Sequence, residues 1–143
     1  MVFNEAPADF NPVLGVVGAY ITYNGTLLLL QRHDKQSHGA KWGGAAGKME
    51  AGETPLQAMQ RELQEETGIV VSAEQLQFFK TFFVRGPDRD FLFHAFCLEC
   101  AEEPKVVLND YDHQMYAWVK PEEALKMDLV HDNEPIIKMI FDL

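Results

Sequence analysis

The stretch GKMEAGETPLQAMQRELQEETGI, Gly47 to Ile69, decides the reading of this chain. Its second half marks both ends of a helix: Thr54 suits the N-cap, Pro55 the first helical position, Gln57 completes a capping box, and Gly68 supplies a left-handed stop. These signals predict a helix over Pro55 to Thr67. At about 100° per residue, Glu62, Glu65 and Glu66 fall on one stripe, and Leu56, Met59 and Leu63 fall on the next. The apolar stripe should pack on a sheet, which sets three carboxylates at the border between core and solvent. Like charges so spaced repel by about 0.2–0.5 kcal/mol per pair on an isolated helix, and more where water is partly excluded. Something positive must compensate them. Arg61 paired with Glu65 at i, i+4 on a solvated face is one answer, and a bound cation is the other.

The residues before the helix bear on that choice. Gly43, Gly44 and Gly47 cluster with Ala45 and Ala46, so a loop here would carry almost no side-chain bulk and its carbonyls could approach an ion closely. Glu50 and Glu53 follow at once. Five acids without a cysteine or a histidine pair make an all-oxygen set, suited to Mg²⁺ or Mn²⁺. Cys97 and Cys100 offer no competing centre. They sit three apart on a predicted strand, so they point to opposite faces, and a zinc ribbon would need a second pair.

Working outward, Val13 to Tyr23 and Thr26 to Arg32 read as strands joined at Asn24-Gly25, a dipeptide that tolerates positive φ at both central turn positions. Leu76 to Val84 and Asp90 to Glu99 form a second pair, apolar at nearly every position, as strands covered on both faces are. Gln114 to Val119 is a further strand, Pro121 to about Met127 a short helix, and Pro135 to Phe141 a terminal helix led in by Asp132 or Asn133. Strands and helices mix without regular alternation, so the expected class is α/β, with a mixed sheet between helices. The 143 residues, 47% of them apolar, can close one core, and no linker or repeat divides them, so residues 1–143 are expected to form a single domain.

Charge and hydropathy exclude several roles. Acidic residues number 22 against 12 basic ones, and a net charge of -10 repels nucleic-acid backbones unless something local inverts the sign. No run approaches the ~20 apolar residues of a membrane span, and Met1 to Asn11 lacks the basic flank of a signal peptide. With two cysteines too close to staple a secreted domain, a cytoplasmic location is expected.

Gly47, Glu53, Arg61-Glu62-Leu63, Glu65-Glu66 and Gly68-Ile69, at these spacings, satisfy every fixed position of the signature of the Nudix hydrolases, which the chain therefore resembles. The resemblance implies an α/β/α sandwich whose loop and helix bind divalent metal and hydrolyse a diphosphate linkage, typically in a nucleoside diphosphate derivative. Carried to this sequence, Glu62, Glu65 and Glu66 resemble metal ligands, with the Gly47 carbonyl as a further oxygen. Glu53 and Arg61 resemble the pair that braces loop against helix. The chain departs from the family where Ala45-Ala46 replaces the usual Pro-Gly, and alanine there is safe only if φ is negative.

Outside this box, Asp110 and Asp112 lie in a turn before the last strand, where relatives commonly place another acid. Asp112, nearer the strand, is the expected catalytic one of the two, and a turn-forming pair is the alternative. Trp42, Lys48 and Arg32 are expected substrate contacts, although Trp42 serves equally well as a core plug. His33, His38 and His113 read as surface residues that could meet base or phosphate, and Phe82, Phe83, Phe91 and Phe93 as core. The expected function is a Mg²⁺-dependent pyrophosphohydrolase, with Mn²⁺ as a substitute, acting on a nucleoside triphosphate or nucleoside diphosphate derivative, in the manner of nucleotide-pool housecleaning. The partner is then a small nucleotide, a homodimer being left open. A silent nucleotide-sensing module, an ADP-sugar hydrolase and a hydrolase of RNA 5′ triphosphates remain the alternatives.

Overall fold

Asn24 and Gly25 both take positive φ, 50° and 77°, and turn the chain between β2 (Pro12–Tyr23) and β3 (Thr26–Arg32). The computed structural model describes residues 1–143. The other elements are β1 (Val2–Phe3), β4 (Trp42–Gly43), β5 (Ala45–Lys48), α1 (Pro55–Thr67), β6 (Gln77–Arg85), β7 (Asp90–Cys100), β8 (His113–Val119), α2 (Pro121–Ala124) and α3 (Asn133–Ile140). β2 runs parallel to β7 over Gly15 to Tyr23, while all other pairs are antiparallel, so the sheet is mixed, as the irregular order of elements implies.

Alternation along β2 divides the core into two layers. Val17, Ala19 and Ile21 face α1, where they meet Ala58, Met59 and Leu63. Tyr20 faces the other way, into a cluster with Ala124 of α2 and Ile136 and Ile137 of α3. Helices thus cover both faces, the α/β/α sandwich expected. Cys97 and Cys100 are free thiols; Cys100 packs with the α1 layer, and Cys97 stands opposite Tyr20 in the β2–β7 register. No helix is long and apolar enough to cross a membrane.

Four readings of the sequence are corrected. The Gly- and Ala-rich segment before α1 is two short strands, β4 and β5, and β5 pairs with β2 through Val16–Lys48, Val17–Gly47, Gly18–Ala46 and Ala19–Ala45. β6 is not covered on both faces along its whole length, for Phe78 and Phe79 stand 57% and 41% exposed. The helix begun at Pro121 ends at Ala124, and the terminal one starts at Asn133 rather than Pro135.

One edge of β2 forks. Its far end, Thr22 and Tyr23, pairs with β3, whereas Val16 to Ala19 pair with β5. β3 meanwhile leaves with β4 and β8. Between the two prongs lies a cavity of about 90 Å³.

Candidate active site

Helix α1 is built as its sequence demands. Thr54 accepts from the Gln57 amide while Gln57 accepts from the Thr54 amide, Pro55 occupies the first turn, and Gly68 ends the helix at φ 74°. Met59 and Leu63 are fully buried against the sheet, which rolls the acidic stripe toward the fork. Burial grades along that stripe: Glu65 is exposed, Glu62 half-buried, and Glu66 only 6% exposed.

Arg61 supplies the expected compensation. Its Nε and Nη2 grip Glu53 at 2.7 and 2.9 Å, Nη2 also donates to the Lys48 carbonyl at 3.1 Å, and Nη1 reaches Glu62 at 2.9 Å and Glu65 at 3.2 Å. One guanidinium therefore ties helix, β5 and the intervening turn, where Glu53 also accepts from the Glu50 amide at 2.7 Å. These bonds hold the Glu53 carboxyl down at about 2 and raise the Arg61 value. The pair thus ties the turn before α1 to the helix.

Glu66 is in the opposite condition. Burial first, and then the neighbouring Glu62, push its carboxyl up to about 8, although the Ala46 amide donates to Oε1 at 2.8 Å. Burial likewise raises Glu62. Asp112 adds to the negative field on both, stands half-buried, and accepts from the Asn109 amide at 3.1 Å, whereas Asp110 is exposed. The turn thus brings Asp112 toward the acids and leaves Asp110 outside.

No three His, Cys, Asp or Glu side chains gather around one point, for Arg61 Nη1 stands between Glu62 and Glu65. The donor set still fits a hard divalent cation in its chemistry. It is all oxygen, and its buried members are carboxyls whose ionised forms a cation would favour. The backbone fits as well. A Cβ on Gly47 would overlap the whole carboxyl of Glu62, so only glycine lets that group lie against β5. Ala46 has no positive φ, which makes the departure from Pro-Gly harmless to the backbone.

The cavity adjoins this group. Its walls include Arg32, His38, Ala46 and His113, together with Gly18, Gly43, Gly44, Tyr20, Phe93 and Asn133. The Phe93 ring lies on Gly18, where a Cβ would collide with it. Tyr20 donates to Asn133 Oδ1 at 3.3 Å, and Asn133 Nδ2 donates to the Val130 carbonyl at 3.3 Å. The amide is held in place with one N–H and one lone pair free.

Of the expected substrate contacts, only Arg32 lines the cavity, its Nε donating to the Ser37 carbonyl at 2.7 Å. Trp42 packs into the α3-side core and bridges to Leu129, the plug reading, while the Lys48 residue is exposed. His113 is no surface residue. It is 3% exposed, and burial, with the Arg32 charge, lowers its value to about 4. Phe83, Phe91 and Phe93 are half-buried where full core was expected, and Phe93 is a cavity wall. Asn133, Tyr20 and Phe93 escaped the sequence reading because the fork that joins them is a tertiary feature; the Gly-rich pairs flanking it were the available signal.

Comparison with known proteins agrees with the geometry. The family model for the NUDIX domain matches residues 13–140. The chain is 30% identical over 133 residues to the CTP pyrophosphohydrolase of Escherichia coli K12, covering 92% of this chain and 93% of the relative. It is 39% identical over 88 residues to phosphatase NudJ of Shigella sonnei, covering 61% of this chain and 56% of that protein. The solution structure of the E. coli ORF135 protein superposes with a TM-score of 0.75 at 29% identity, over 91% of this chain and 89% of the other.

Proposed function

We propose that this chain, which belongs to the Nudix family, is a divalent-metal-dependent pyrophosphohydrolase that cleaves a nucleoside triphosphate into the monophosphate and pyrophosphate. Membership makes it a hydrolase of phosphoric anhydrides. The observation that carries the narrower reading is a shared wall: Ala46 donates to Glu66 at 2.8 Å and also lines the cavity, as do Arg32 and His113. A nucleoside seated in the cavity would therefore place its phosphate chain against the acidic stripe.

Glu62, Glu65 and Glu66, with the Gly47 carbonyl, would hold the cation, taken as Mg²⁺ with Mn²⁺ as substitute. When bound it neutralises the diphosphate and lowers the pKa of an attacking water. In a chain of charge -10, that local inversion of sign is what lets a polyanion enter. The chain's own residues do the rest. Arg61 and Glu53 fix β5 to α1, Arg32 and His38 face the phosphates from the cavity wall, and Asp112 takes the proton of the attacking water. Phe93 stacks on the base, and the free N–H and lone pair of Asn133 read its edge.

Cytidine triphosphate heads the substrates to test, because the relative aligned over 92% of this chain is a CTP pyrophosphohydrolase. A panel of nucleoside triphosphates, nucleoside diphosphate sugars and dinucleoside polyphosphates, assayed with Mg²⁺ for phosphate and pyrophosphate, tests the proposal. It stands if a triphosphate is turned over with pyrophosphate release that chelator abolishes. Turnover confined to sugar or dinucleotide substrates would replace it.

A further inference from the structure

The buried side-chain polar atom left without a hydrogen-bond partner in this structure is Nδ1 of His113. It lies 3.7 Å from Oε2 of Glu66, with both side chains under a tenth exposed. That gap exceeds a hydrogen bond, and closing it to bonding distance needs a movement of about 0.8 Å. Oε1 of Glu66 already accepts from Ala46 at 2.8 Å, so Oε2 is the oxygen that lacks a protein donor. The backbone that carries the ring is fixed. The His113 amide donates to the Asn109 carbonyl at 3.0 Å, and the residue sits opposite Arg32 beside an irregularity in the β3–β8 pairing.

Packing alone does not call for histidine here. A buried nitrogen without a partner costs the desolvation of that group, and an apolar side chain of similar volume would fill the space without it. An atom kept at such a cost, and aimed at the free oxygen of a carboxylate, serves a state in which that oxygen carries charge. We propose that His113 is a positioning residue: its neutral ring, with the proton on Nδ1, donates to Oε2 of Glu66 and holds that carboxylate in place while it serves a divalent cation. The inference rests on the reading of Glu66 as a cation ligand. Carboxylates that ligate metals are themselves hydrogen-bonded, and loss of such a partner weakens metal binding by about 10–100-fold.

The test is Mn²⁺ titration of the full chain without nucleotide, following free Mn²⁺ by its EPR signal, beside thermal unfolding in chelator. Two variants divide the outcomes. His113→Asn keeps an N–H donor close to the place of Nδ1, and His113→Leu removes it. The expected result is at least ~10-fold weaker Mn²⁺ binding in His113→Leu, with an unfolding temperature in chelator equal to or above that of the natural chain. His113→Asn should bind within ~3-fold of it. Undiminished binding by His113→Leu overturns the proposal, as does an Asn variant no better than Leu. A His113→Leu chain that melts lower in chelator, or does not fold, overturns it in favour of a packing role. Unchanged Mn²⁺ binding with a raised KM for nucleotide overturns it in favour of a substrate contact. In all these cases the natural chain still binds Mn²⁺ and turns over. A natural chain that neither binds Mn²⁺ nor hydrolyses any nucleotide overturns the parent reading as well.

Discussion

The backbone N–H of Ala46 donates to Oε1 of Glu66 across 2.8 Å, joining β5 to the most buried acid of α1. The contact uses main chain, so it does not depend on which side chain stands at 46 provided an N–H is present. Ala46→Gly, which restores the residue usual in the family, should leave kcat and KM within ~3-fold and lower stability by about 0.5–1 kcal/mol. Steady-state kinetics and denaturant unfolding check both. A gain of tenfold or more in kcat would mean that alanine distorts the site.

Stability of the metal-free protein should carry the signature of Glu66. Its value in the folded chain, about 8, lies above the ordinary 4.5, so its contribution is complete below 4.5 and is lost as pH rises through 8. His113, lowered to about 4 from 6.5, runs the other way: its contribution is complete above 6.5 and is lost as pH falls through 4. The two oppose each other below 6.5, and only Glu66 acts above it. In chelator, the natural chain should lose about 2 kcal/mol between pH 6.5 and 8, and Glu66→Gln should lose far less. Parallel curves for the two proteins would contradict the assignment.

Asp112 and Asp110 should separate sharply. Asp112 is half-buried, anchored by Asn109, and adds to the field on Glu62 and Glu66, while Asp110 is exposed. Asp112→Asn should lower kcat by ~10-fold or more, and Asp110→Asn should change it by less than ~3-fold. The reverse ranking in steady-state kinetics would place the water-activating acid elsewhere.

The cavity should govern binding more than chemistry. Phe93→Leu removes a stacking face and Asn133→Ala removes both edge contacts, so each should raise KM by ~10-fold with kcat within ~3-fold. Nucleotide titrations and initial rates read the split. Unchanged KM in both variants would put the base outside the fork.

Helix α1 was legible because everything that defines it is local: Thr54 and Gln57 cap it, Pro55 starts it and Gly68 stops it within fifteen residues. The acidic stripe follows from the same spacing, whereas the Glu53–Arg61 pair was legible only through the resemblance to the Nudix signature. β4 and β5 were not legible, since Gly43 and Ala45-Ala46-Gly47-Lys48 have low strand propensity and these short segments become strands by pairing with Leu30 and Gln31 and with Val16 to Ala19. The same long-range pairing opens the fork, so Phe93 and Asn133 could not be placed from their neighbours in sequence. His113 reads as polar and exposed in its turn; the Glu66 side chain that it faces lies 47 residues earlier, and only the register of β8 against β3 buries it.

In the proposed reaction, water activated on the α1 face attacks a nucleoside triphosphate at an internal phosphorus. Hydrolysis of cytidine triphosphate in ¹⁸O-labelled water with Mg²⁺, with both products analysed by mass spectrometry, tests it most directly. The expected products are cytidine monophosphate and pyrophosphate, with one label incorporated per turnover at the bond broken between them. Release of labelled inorganic phosphate with cytidine diphosphate, or equal turnover in excess chelator, would contradict it.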